Sequence, residues 1–345
     1  MMYDALVEIV EGSDRGRPCP RPELLKEAVR IVMRGEAKPA EIAALLTGLR
    51  CRGEHAEHLQ AVVEAMLEHS TPFTANHNDY PLFDTCGTGG DGHGTVNIST
   101  ACALLAASAG IHVAKHGNRS VSSKSGSADV LEVLGLKIDV PPEKSARLLH
   151  DYNFCFLFAP MYHPAMKHAG PVRKELRFRT IFNLAGPLSN PAKPSHQLVG
   201  VAEPHLIEPM AVTLKLLGRH RALVVHGVNG VDEISLTQVT EGLHLREDGR
   251  LETFRLNPGD LGLEMIEMAE LVAQDPQDSA AKIKRVLEGE PGPIADEINI
   301  NLAAVLWLAG EEPDLEEGFN RAREIQQSGA GARMLQELIQ ATNGD

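Results

Sequence analysis

Two glycine-rich loops that lie close together in the chain constrain its fold more than any other feature. The first loop, Gly87–Gly92, has four glycines in six residues, and without Cβ atoms its backbone N–H groups can converge on an anion. Asn97–Thr100 then begins an alanine-rich helix, whose free N–H groups and dipole also favour negative charge. The second loop, Lys115–Ser127, contains three cationic side chains and five serines. Two such loops around one short helix predict a ligand with more than one phosphate group.

The charge and the apolar pattern of the chain argue against two classes of partner. A formal net charge of −14 disfavours nonspecific nucleic-acid binding, which needs a basic face. The basic residues at 115–124 therefore predict a local site for a small anion. No apolar run is long enough to span a membrane and the N-terminus lacks a signal-peptide pattern, so we expect a cytoplasmic protein without a membrane partner. The five cysteines lack metal or CxxC spacing, which argues against a disulfide scaffold.

The periodicity of apolar residues changes near residue 80 and predicts two domains. Before residue 70, apolar residues recur every three to four positions in three short segments, which predicts helices. Beyond residue 80, strands alternate with helices, as is typical of a largely parallel sheet covered by helices. We therefore predict an α/β fold, with a small all-helical domain at 1–75 and a larger α/β domain at 76–345 that ends in helices. The basic helical segment Pro164–Asn183 is expected to join the small domain.

Within the larger domain, the pattern assigns individual elements. The predicted helices are Thr100–Gly110, Ala128–Leu134 and one that ends near Gly218. The predicted strands are Ile111–Ala114, Leu136–Val140, Leu198–Val201 and Ala222–His226.

The first loop also matches the G-x-G-x-x-G pattern of dinucleotide-binding proteins, through Gly87, Gly89 and Gly92. Such a site needs an acidic residue about twenty positions further on, which binds the ribose hydroxyls. Here that position falls on Val113–His116, which contains Lys115 and no acid. A dehydrogenase that uses a phosphorylated dinucleotide remains a minor alternative. The sequence contains no P-loop, zinc-protease or α/β-hydrolase motif.

Two adjacent carboxylates, Asp232 and Glu233, follow the predicted strand Ala222–His226 and a glycine-containing loop. Ligands bind at the carboxyl ends of strands in such folds, and Mg²⁺ prefers oxygen ligands, often one or two carboxylates with water and substrate phosphates. An isolated pair of this kind is more often a solvated turn. Because a polyphosphate ligand usually brings Mg²⁺, the two phosphate loops favour a magnesium site here.

Six segments carry a resemblance to a known family. They are GTGGDG at 87–92, NIST at 97–100, KHGNRSVSSKSGSADVLE at 115–132, PAMKHAGPVRKEL at 164–176, RTIFNLAGPLSNP at 179–191 and HGVNGVDEIS at 226–235. In this order they are similar to the anthranilate phosphoribosyltransferases of tryptophan biosynthesis. The pyrimidine nucleoside phosphorylases share the fold that this resemblance implies but carry different loop sequences.

The resemblance implies a reaction in which the amine of anthranilate displaces pyrophosphate from phosphoribosyl pyrophosphate, with inversion at the anomeric carbon. It also implies that Ser99, Asp232 and Glu233 hold two Mg²⁺ ions. The residues that it places around phosphoribosyl pyrophosphate are Gly87, Gly90, Asp91, Thr95, Asn97, Ile98, Ser99, Thr100, Lys115, His116, Gly117, Asn118, Arg119, Ser120, Val121, Ser122, Ser123 and Ser127.

The same resemblance places Gly87, Asn118 and Arg173 against the anthranilate. Arg173 suits the carboxylate, because a planar guanidinium can bind both of its oxygens. An aromatic amine is already neutral at pH 7, so its attack requires no strong base. The candidates to accept its proton late in the reaction are His116 and His163, each of which has a purely structural role as its alternative.

Three places depart from the pattern of the family. Arg177 stands where glycine is more usual, Ala185 stands where leucine is, and Val272–Gln274 replaces a common glycine pair. We expect none of them to touch the phosphate or metal ligands. Arg177 and Ala185 are close in sequence to the acceptor residues, so they bear on the identity of the acceptor rather than on the reaction class.

Two other functions stay open at this point. One is a pyrimidine nucleoside phosphorylase-like enzyme, and the other is a noncatalytic nucleic-acid-binding relative of the same fold. The second should lose the glycine loop and the acidic pair and gain a basic surface, whereas this chain keeps both and is acidic. The apolar faces of the small helical domain need a partner, which predicts a homodimer.

Overall fold

The computed structural model describes residues 1–12, 19–73, 75, 80–120 and 124–344. Its N-terminal part is helical, as the apolar spacing predicts. The helices are α1 (Met2–Glu11), α2 (Pro22–Met33), α3 (Pro39–Arg52) and α4 (Ala56–Glu68). Both α2 and α3 begin at a proline, whose fixed φ suits the first helical position.

A sheet that has seven strands in the described part of the chain forms the centre of the larger domain. The strands are β1 (Leu82–Gly87), β2 (His112–Gly117), β3 (Phe154–Phe158), β4 (His196–Gly200), β5 (Arg221–Gly227), β6 (Thr240–Leu245) and β7 (Leu251–Leu256). Their order is β3-β2-β1-β4-β5-β6-β7; β1 to β5 are parallel, and β6 and β7 add an antiparallel hairpin at one edge. The strand order reverses at β1, so a ligand is expected at its carboxyl end.

Helices cover both faces of the sheet. They are α5 (Ile98–Ser108), α6 (Ser127–Val133), α7 (Pro142–Tyr152), α8 (Ala159–Tyr162), α9 (Gly170–Leu176), α10 (Ile181–Leu188), α11 (Ile207–Leu216), α12 (Met268–Leu271), α13 (Pro276–Leu287), α14 (Pro293–Ala309), α15 (Leu315–Gln327) and α16 (Ala330–Asn343), with 3₁₀ turns at Pro164–His168, Pro204–Leu206 and Pro258–Leu261. Within the described ranges, none of these helices has the length and apolar character needed to cross a membrane.

Alternate residues of the central strands contribute to two separate hydrophobic cores. On β5, Leu223 and Val225 belong to a core that also contains α5 and the C-terminal helices. Ala222 and Val224 belong to a second core, together with α1 to α4 and residues of α9, α10 and α11. The predicted fold class, a helical domain joined to a largely parallel α/β domain, is therefore confirmed, and the helical domain packs on one face of the sheet.

The predicted strand Leu136–Val140 is wrong. Its alternation is real, because Leu136, Ile138 and Val140 are buried and the two residues between them are exposed, but this described segment is not paired in the sheet. It encloses a small internal cavity with residues of β3, a strand that the pattern missed. Since β3 is covered on both sides, its sequence FCFLF shows no polar alternation. The other predicted strands and helices are confirmed to within a few residues.

Arg177 ends α9 in a left-handed conformation, with φ of 58° and ψ of 10°. Glycine is favoured at such a position because it has no Cβ to clash with the backbone. This explains why the family usually has glycine where this chain has Arg177. We expect Arg177→Gly to raise the free energy of unfolding by about 0.5 to 1 kcal/mol, as measured by urea denaturation. Lys174→Gly, inside α9, should instead lower it by about 1 kcal/mol. A loss of stability in Arg177→Gly would show that the conformation carries no strain.

Candidate active site

Glycines end the parallel strands nearest to the point where the strand order reverses. They are Gly87 on β1, Gly117 on β2, Gly200 on β4 and Gly227 on β5. A Cβ at Gly87 would overlap the carboxylate of Asp232, and one at Gly200 would overlap its backbone carbonyl. Glycine is therefore required where Asp232 sits on the ends of the paired strands β1 and β4.

A polar cavity of about 330 Å³ opens at this edge of the sheet. Every described residue that the sequence placed around the phosphoribosyl donor lines it, namely Gly87, Gly90, Asp91, Thr95, Asn97, Ile98, Ser99, Thr100, Lys115, His116, Gly117, Asn118, Arg119, Ser120 and Ser127. Val121, Ser122 and Ser123 lie outside the described residues. The cavity also includes Asp232 and Glu233, so the phosphate loops and the acidic pair meet in space.

The first turn of α5 joins the two loops and the acidic pair. The backbone N–H of Ser99 donates to Glu233 Oε1 at 3.3 Å. Asn97 Nδ2 donates to the carbonyl of Ser125 at 3.2 Å, while Asn97 Oδ1 accepts from the hydroxyls of Ser125 and Ser279, each at 2.8 Å. These bonds connect the second loop to the start of the helix, so both loops are held in one arrangement.

Asp232 is a buried carboxylate and Glu233 a half-buried one, and neither forms a salt bridge within the described ranges. Asp232 Oδ2 accepts from the backbone N–H of Gly89 at 2.6 Å. Burial, with a smaller contribution from Asp91, raises the pKa of Asp232 to about 6. Removal from solvent and the neighbouring Asp232 raise the pKa of Glu233 well above its usual value. Two adjacent carboxylates in this environment favour binding of a cation, which would offset the cost of burying their charge.

The residues present fit Mg²⁺ bound together with a phosphate ligand. In the described part of the chain, no group of three or more histidine, cysteine or acidic side chains could hold a metal by itself. Asp232, Glu233 and the hydroxyl of Ser99 nevertheless line the same cavity and offer hard oxygen ligands. Because Mg²⁺ commonly keeps waters and takes phosphate oxygens beside one or two carboxylates, this incomplete set suits it.

Lys115 lies beneath the cavity as a buried cation. Its Nζ donates to a backbone carbonyl of β1 at 2.5 Å and to Ser99 Oγ at 3.3 Å. Asp84 is also buried and accepts from the N–H of His116 at 3.3 Å and from Asn190 Nδ2 at 2.9 Å. Burial raises the pKa of Asp84 to about 6, and the nearby Lys115 opposes this effect. The network fixes a positive charge beside Ser99 and orients its hydroxyl.

Asp129, in the first turn of α6, pins the second loop. Its Oδ2 accepts from the backbone N–H groups of Ser120 and Gly126, both at 3.0 Å. Arg119 forms a salt bridge of 3.2 Å with Asp129 and a shorter one with another carboxylate of α6. Its guanidinium is therefore engaged with α6. Lys124 is a second exposed cation that this loop adds to the wall of the cavity.

A second, mainly apolar cavity of about 470 Å³ adjoins the first. Met66, Pro160, Met166, Phe182 and Pro187 supply much of its apolar lining. The two cavities have residues 86–88, 116–118 and Asn183 in common, and we call this set the shared wall.

Arg173, on α9, lines the apolar cavity. Its guanidinium carbon lies 5.7 Å from the centre of the Phe182 ring. Among the described residues no carboxylate pairs with Arg173, and burial lowers its pKa. A planar cation without a partner in an apolar cavity suits the carboxylate of an aromatic ligand.

His116 and His163 are buried in contact with the same cavity, with their ring centres 5.1 Å apart. His163 Nε2 lies 2.9 Å from the carbonyl of Ser189, which can only accept, so Nε2 carries the proton and Nδ1 does not. Burial lowers the pKa of both rings, that of His116 to about 3. Both are therefore neutral at pH 7.

Sequence reasoning missed Arg179 as a site residue. Its Nη2 donates to the carbonyl of Gly89 at 2.7 Å, and its Nη1 lies 3.5 Å from a carboxylate oxygen of Glu203. Arg179 lines the polar cavity and connects the segment before α10 to the first loop. The signal was present, because Arg179 opens the RTIFN segment of the resemblance, but nothing in the sequence shows which loop it reaches.

The other departures from the family pattern have different surroundings. Ala185 is fully buried in the second core and does not line the apolar cavity. Val272 pairs with Thr95 in an isolated bridge, and the N–H of Ala273 donates to the carbonyl of Gly94 at 2.8 Å. The expectation that none of the departures touches the donor residues is therefore wrong for Val272, which pairs with Thr95 just after the first loop.

Comparisons with known proteins identify the family and similar solved structures. Residues 79–332 match the family model described as glycosyl transferase family, a/b domain, and residues 20–70 match the helical bundle domain of the same family. The anthranilate phosphoribosyltransferase of Petrotoga mobilis is 44% identical over 319 residues, which cover 92% of each chain. The solved structure of that enzyme from Thermus thermophilus is 40% identical, with a TM-score of 0.90 and coverage of 99% of this chain and 100% of the other. A structure from Saccharomyces cerevisiae, in complex with PRPP and Mg, is 27% identical, with a TM-score of 0.88 and coverage of 99% and 97%.

Proposed function

The chain belongs to the anthranilate phosphoribosyltransferases of the glycosyl transferase family, and we propose that its two cavities divide the reaction between donor and acceptor. The 5-phosphoribosyl group passes from phosphoribosyl pyrophosphate to the amine of anthranilate, giving N-(5-phosphoribosyl)anthranilate and pyrophosphate. One observation carries the division: the cavity lined by both phosphate loops meets, at the shared wall, an apolar cavity that contains an arginine without a carboxylate partner among the described residues.

The polar cavity holds phosphoribosyl pyrophosphate. Gly87, Gly90, Asp91, Thr95 and residues 97–100 surround its pyrophosphate end, and residues 115–120 and Ser127 bind the rest of the molecule. As the bond to pyrophosphate breaks, negative charge develops on the leaving group and positive charge on the ribose ring. Fixed N–H groups of the first loop and of α5, with the buried charge of Lys115 behind Ser99, stabilise the leaving group without reorganising.

Two Mg²⁺ ions complete the donor site in this proposal. Ser99 and Glu233 hold one, and Asp232 and Glu233 hold the other. Their contribution is to neutralise charge on the pyrophosphate. The raised pKa values of the two carboxylates and the Mg-containing structure of the yeast relative support this assignment.

The apolar cavity holds anthranilate. Arg173 binds both carboxylate oxygens, and Gly87 and Asn118 of the shared wall place the amine toward the anomeric carbon, so that attack inverts that centre. The neutral amine needs no activation before attack. Afterwards the unprotonated Nδ1 of His163 or a nitrogen of His116 accepts the proton, and the low pKa of His116 makes it the weaker acceptor.

A fluorescence assay of anthranilate consumption, with phosphoribosyl pyrophosphate and Mg²⁺, tests this function. We expect turnover that requires all three components. A folded protein that instead cleaved thymidine with phosphate would be a nucleoside phosphorylase, and one that turned over neither but bound DNA would be a noncatalytic relative. Either result would overturn the proposal.

We also propose the predicted domain division, in which residues 164–183 join the N-terminal helices, and a homodimer that forms through those helices. Val172 and Phe182 share the second core with α2 to α4, which supports the domain assignment. On α1, Tyr3 and Val10 are 77% and 79% exposed. They lie seven positions apart, so they share one face of the helix and present an apolar surface for a second copy.

The double substitution of Tyr3→Glu with Val10→Glu is expected to convert the dimer into a monomer, because it places four charges in a two-fold interface. Light scattering coupled to gel filtration measures the change. Val133→Glu, at an exposed apolar position on α6, provides the control and should remain a dimer. A monomeric wild type would refute the dimer.

A further inference from the structure

Two buried polar side chains of α14 lie behind the acidic pair. Glu297 and Asn301 are fully buried and four positions apart, so they share one face of the helix. Neither residue belongs to a local sequence motif, because their partners lie 61 and 67 positions earlier in the chain.

Their hydrogen bonds hold the backbone that follows the acidic pair. Glu297 Oε2 accepts from the N–H of Leu236 at 2.7 Å. Asn301 Oδ1 accepts from the N–H of Ile234 at 3.1 Å, and its Nδ2 donates to the carbonyl of Ile234 at 2.8 Å. Residues 231–236 belong to no strand or helix, so these buried backbone groups need side-chain partners.

The buried carboxyl group of Glu297 indicates that its contact with Leu236 does more than fill space. Burying a carboxyl group costs free energy that an apolar residue of similar size would not. The second oxygen, Oε1, has no hydrogen-bond partner among the described residues. The bond to Leu236 is therefore the main interaction that offsets the free energy of burying this carboxyl group. The segment it fixes carries Asp232 and Glu233, two adjacent carboxylates that line the polar cavity.

We propose that Glu297 and Asn301 are positioning residues for the cation site. From α14 they hold the backbone at Ile234 and Leu236, and thereby keep the carboxylates of Asp232 and Glu233 directed into the polar cavity before any cation binds. This inference rests on the proposed role of Asp232 and Glu233 as metal ligands. It adds two residues that touch neither substrate nor metal.

Glu297→Gln and Glu297→Met test the proposal as a matched pair. Both side chains are uncharged and similar in size to glutamate, but only glutamine can accept from the Leu236 N–H. The readout is direct: binding of Mn²⁺ in the presence of inorganic pyrophosphate, measured by the EPR signal of free Mn²⁺. We expect Glu297→Gln to bind Mn²⁺ within about twofold of the wild type and Glu297→Met to bind it about tenfold more weakly.

Asn299→Ala controls for the loss of a buried polar group on the same helix. Asn299 is 1% exposed but makes no hydrogen bond to residues 231–236 in the described structure, so its Mn²⁺ affinity should be unchanged. If Glu297→Met does not fold, Asn301→Leu and Asn299→Leu give a second matched pair, since only the first loses the bonds to Ile234. Equal Mn²⁺ affinity within a pair, with normal binding by the wild type, would overturn the positioning role alone. A wild type that binds no Mn²⁺ would overturn the metal site as well.

Discussion

Glu233→Gln is expected to lower the rate of phosphoribosyl transfer by a factor on the order of one thousand, while the metal-free protein becomes more stable. Glutamine has the same shape and can still accept from the N–H of Ser99, so the backbone arrangement is preserved. What is lost is the charge that both proposed Mg²⁺ ions share. Without them, the charge that develops on the departing pyrophosphate is stabilised by N–H groups and by lysines of the polar cavity alone.

The gain in stability has the same origin as the loss of activity. Removal from solvent and the nearby Asp232 raise the pKa of Glu233 well above its usual value, which means that the charged form is costly in the folded protein without a cation. Replacing that charge by a neutral amide removes the cost. The melting temperature of Glu233→Gln without divalent metal should therefore exceed that of the wild type by a few degrees.

Calorimetry without divalent metal and the fluorescence assay with Mg²⁺ measure the two effects. Glu241→Gln, at an exposed position on β6, should change neither. Addition of Mg²⁺ with pyrophosphate should then stabilise the wild type much more than Glu233→Gln, because only the wild type gains the full ligand set. Activity close to that of the wild type in Glu233→Gln would contradict the metal assignment.

The sequence could bring the two glycine-rich loops to one site because their chemistry is local, while phosphate binding there stays a prediction. Glycines, a helix start and clustered cations reveal a loop that binds anions, and Gly87, Asn97 and Lys115 do line one cavity. The alternating fold was predictable for the same reason, since each strand and helix carries its own apolar period. Prediction failed at Leu136–Val140, where the period was correct but no neighbouring strand was available for pairing among the described residues. It also missed β3, whose two covered faces remove the alternation.

What the sequence did not reveal are contacts between distant segments. Arg179 reaches the carbonyl of Gly89, Asn190 holds Asp84, and Glu297 holds Leu236. In each case a polar side chain forms a hydrogen bond with a residue that is far away in the chain, so no local spacing indicates the contact. These residues fix the geometry of the site, but the sequence does not show which distant groups they contact. The division into two cavities was also not visible in the sequence, because the shared wall combines three separate parts of the chain, residues 86–88, 116–118 and Asn183.

Arg173→Ala is expected to raise the KM for anthranilate by a factor on the order of 100 and to leave the KM for phosphoribosyl pyrophosphate within about twofold. The guanidinium lies over the Phe182 ring in the apolar cavity, and no carboxylate of the described residues competes for it. Its removal leaves the carboxylate of anthranilate in an apolar cavity without a counter-charge. Because burial already lowers the pKa of Arg173, removing this charge should offset part of the packing that is lost with the side chain.

Two further variants show whether the effect is specific to the acceptor. Arg173→Lys keeps a positive charge but loses the planar pair of donors, so its KM for anthranilate should fall between those of the wild type and Arg173→Ala. Lys124→Ala removes an exposed cation of the polar cavity and should raise the KM for phosphoribosyl pyrophosphate but not that for anthranilate. Initial rates with each substrate varied in turn give both constants. Arg173 and Lys124 lie on opposite sides of the shared wall, so each should affect one substrate only. If Arg173→Ala and Lys124→Ala changed both KM values equally, the two cavities would not divide donor from acceptor.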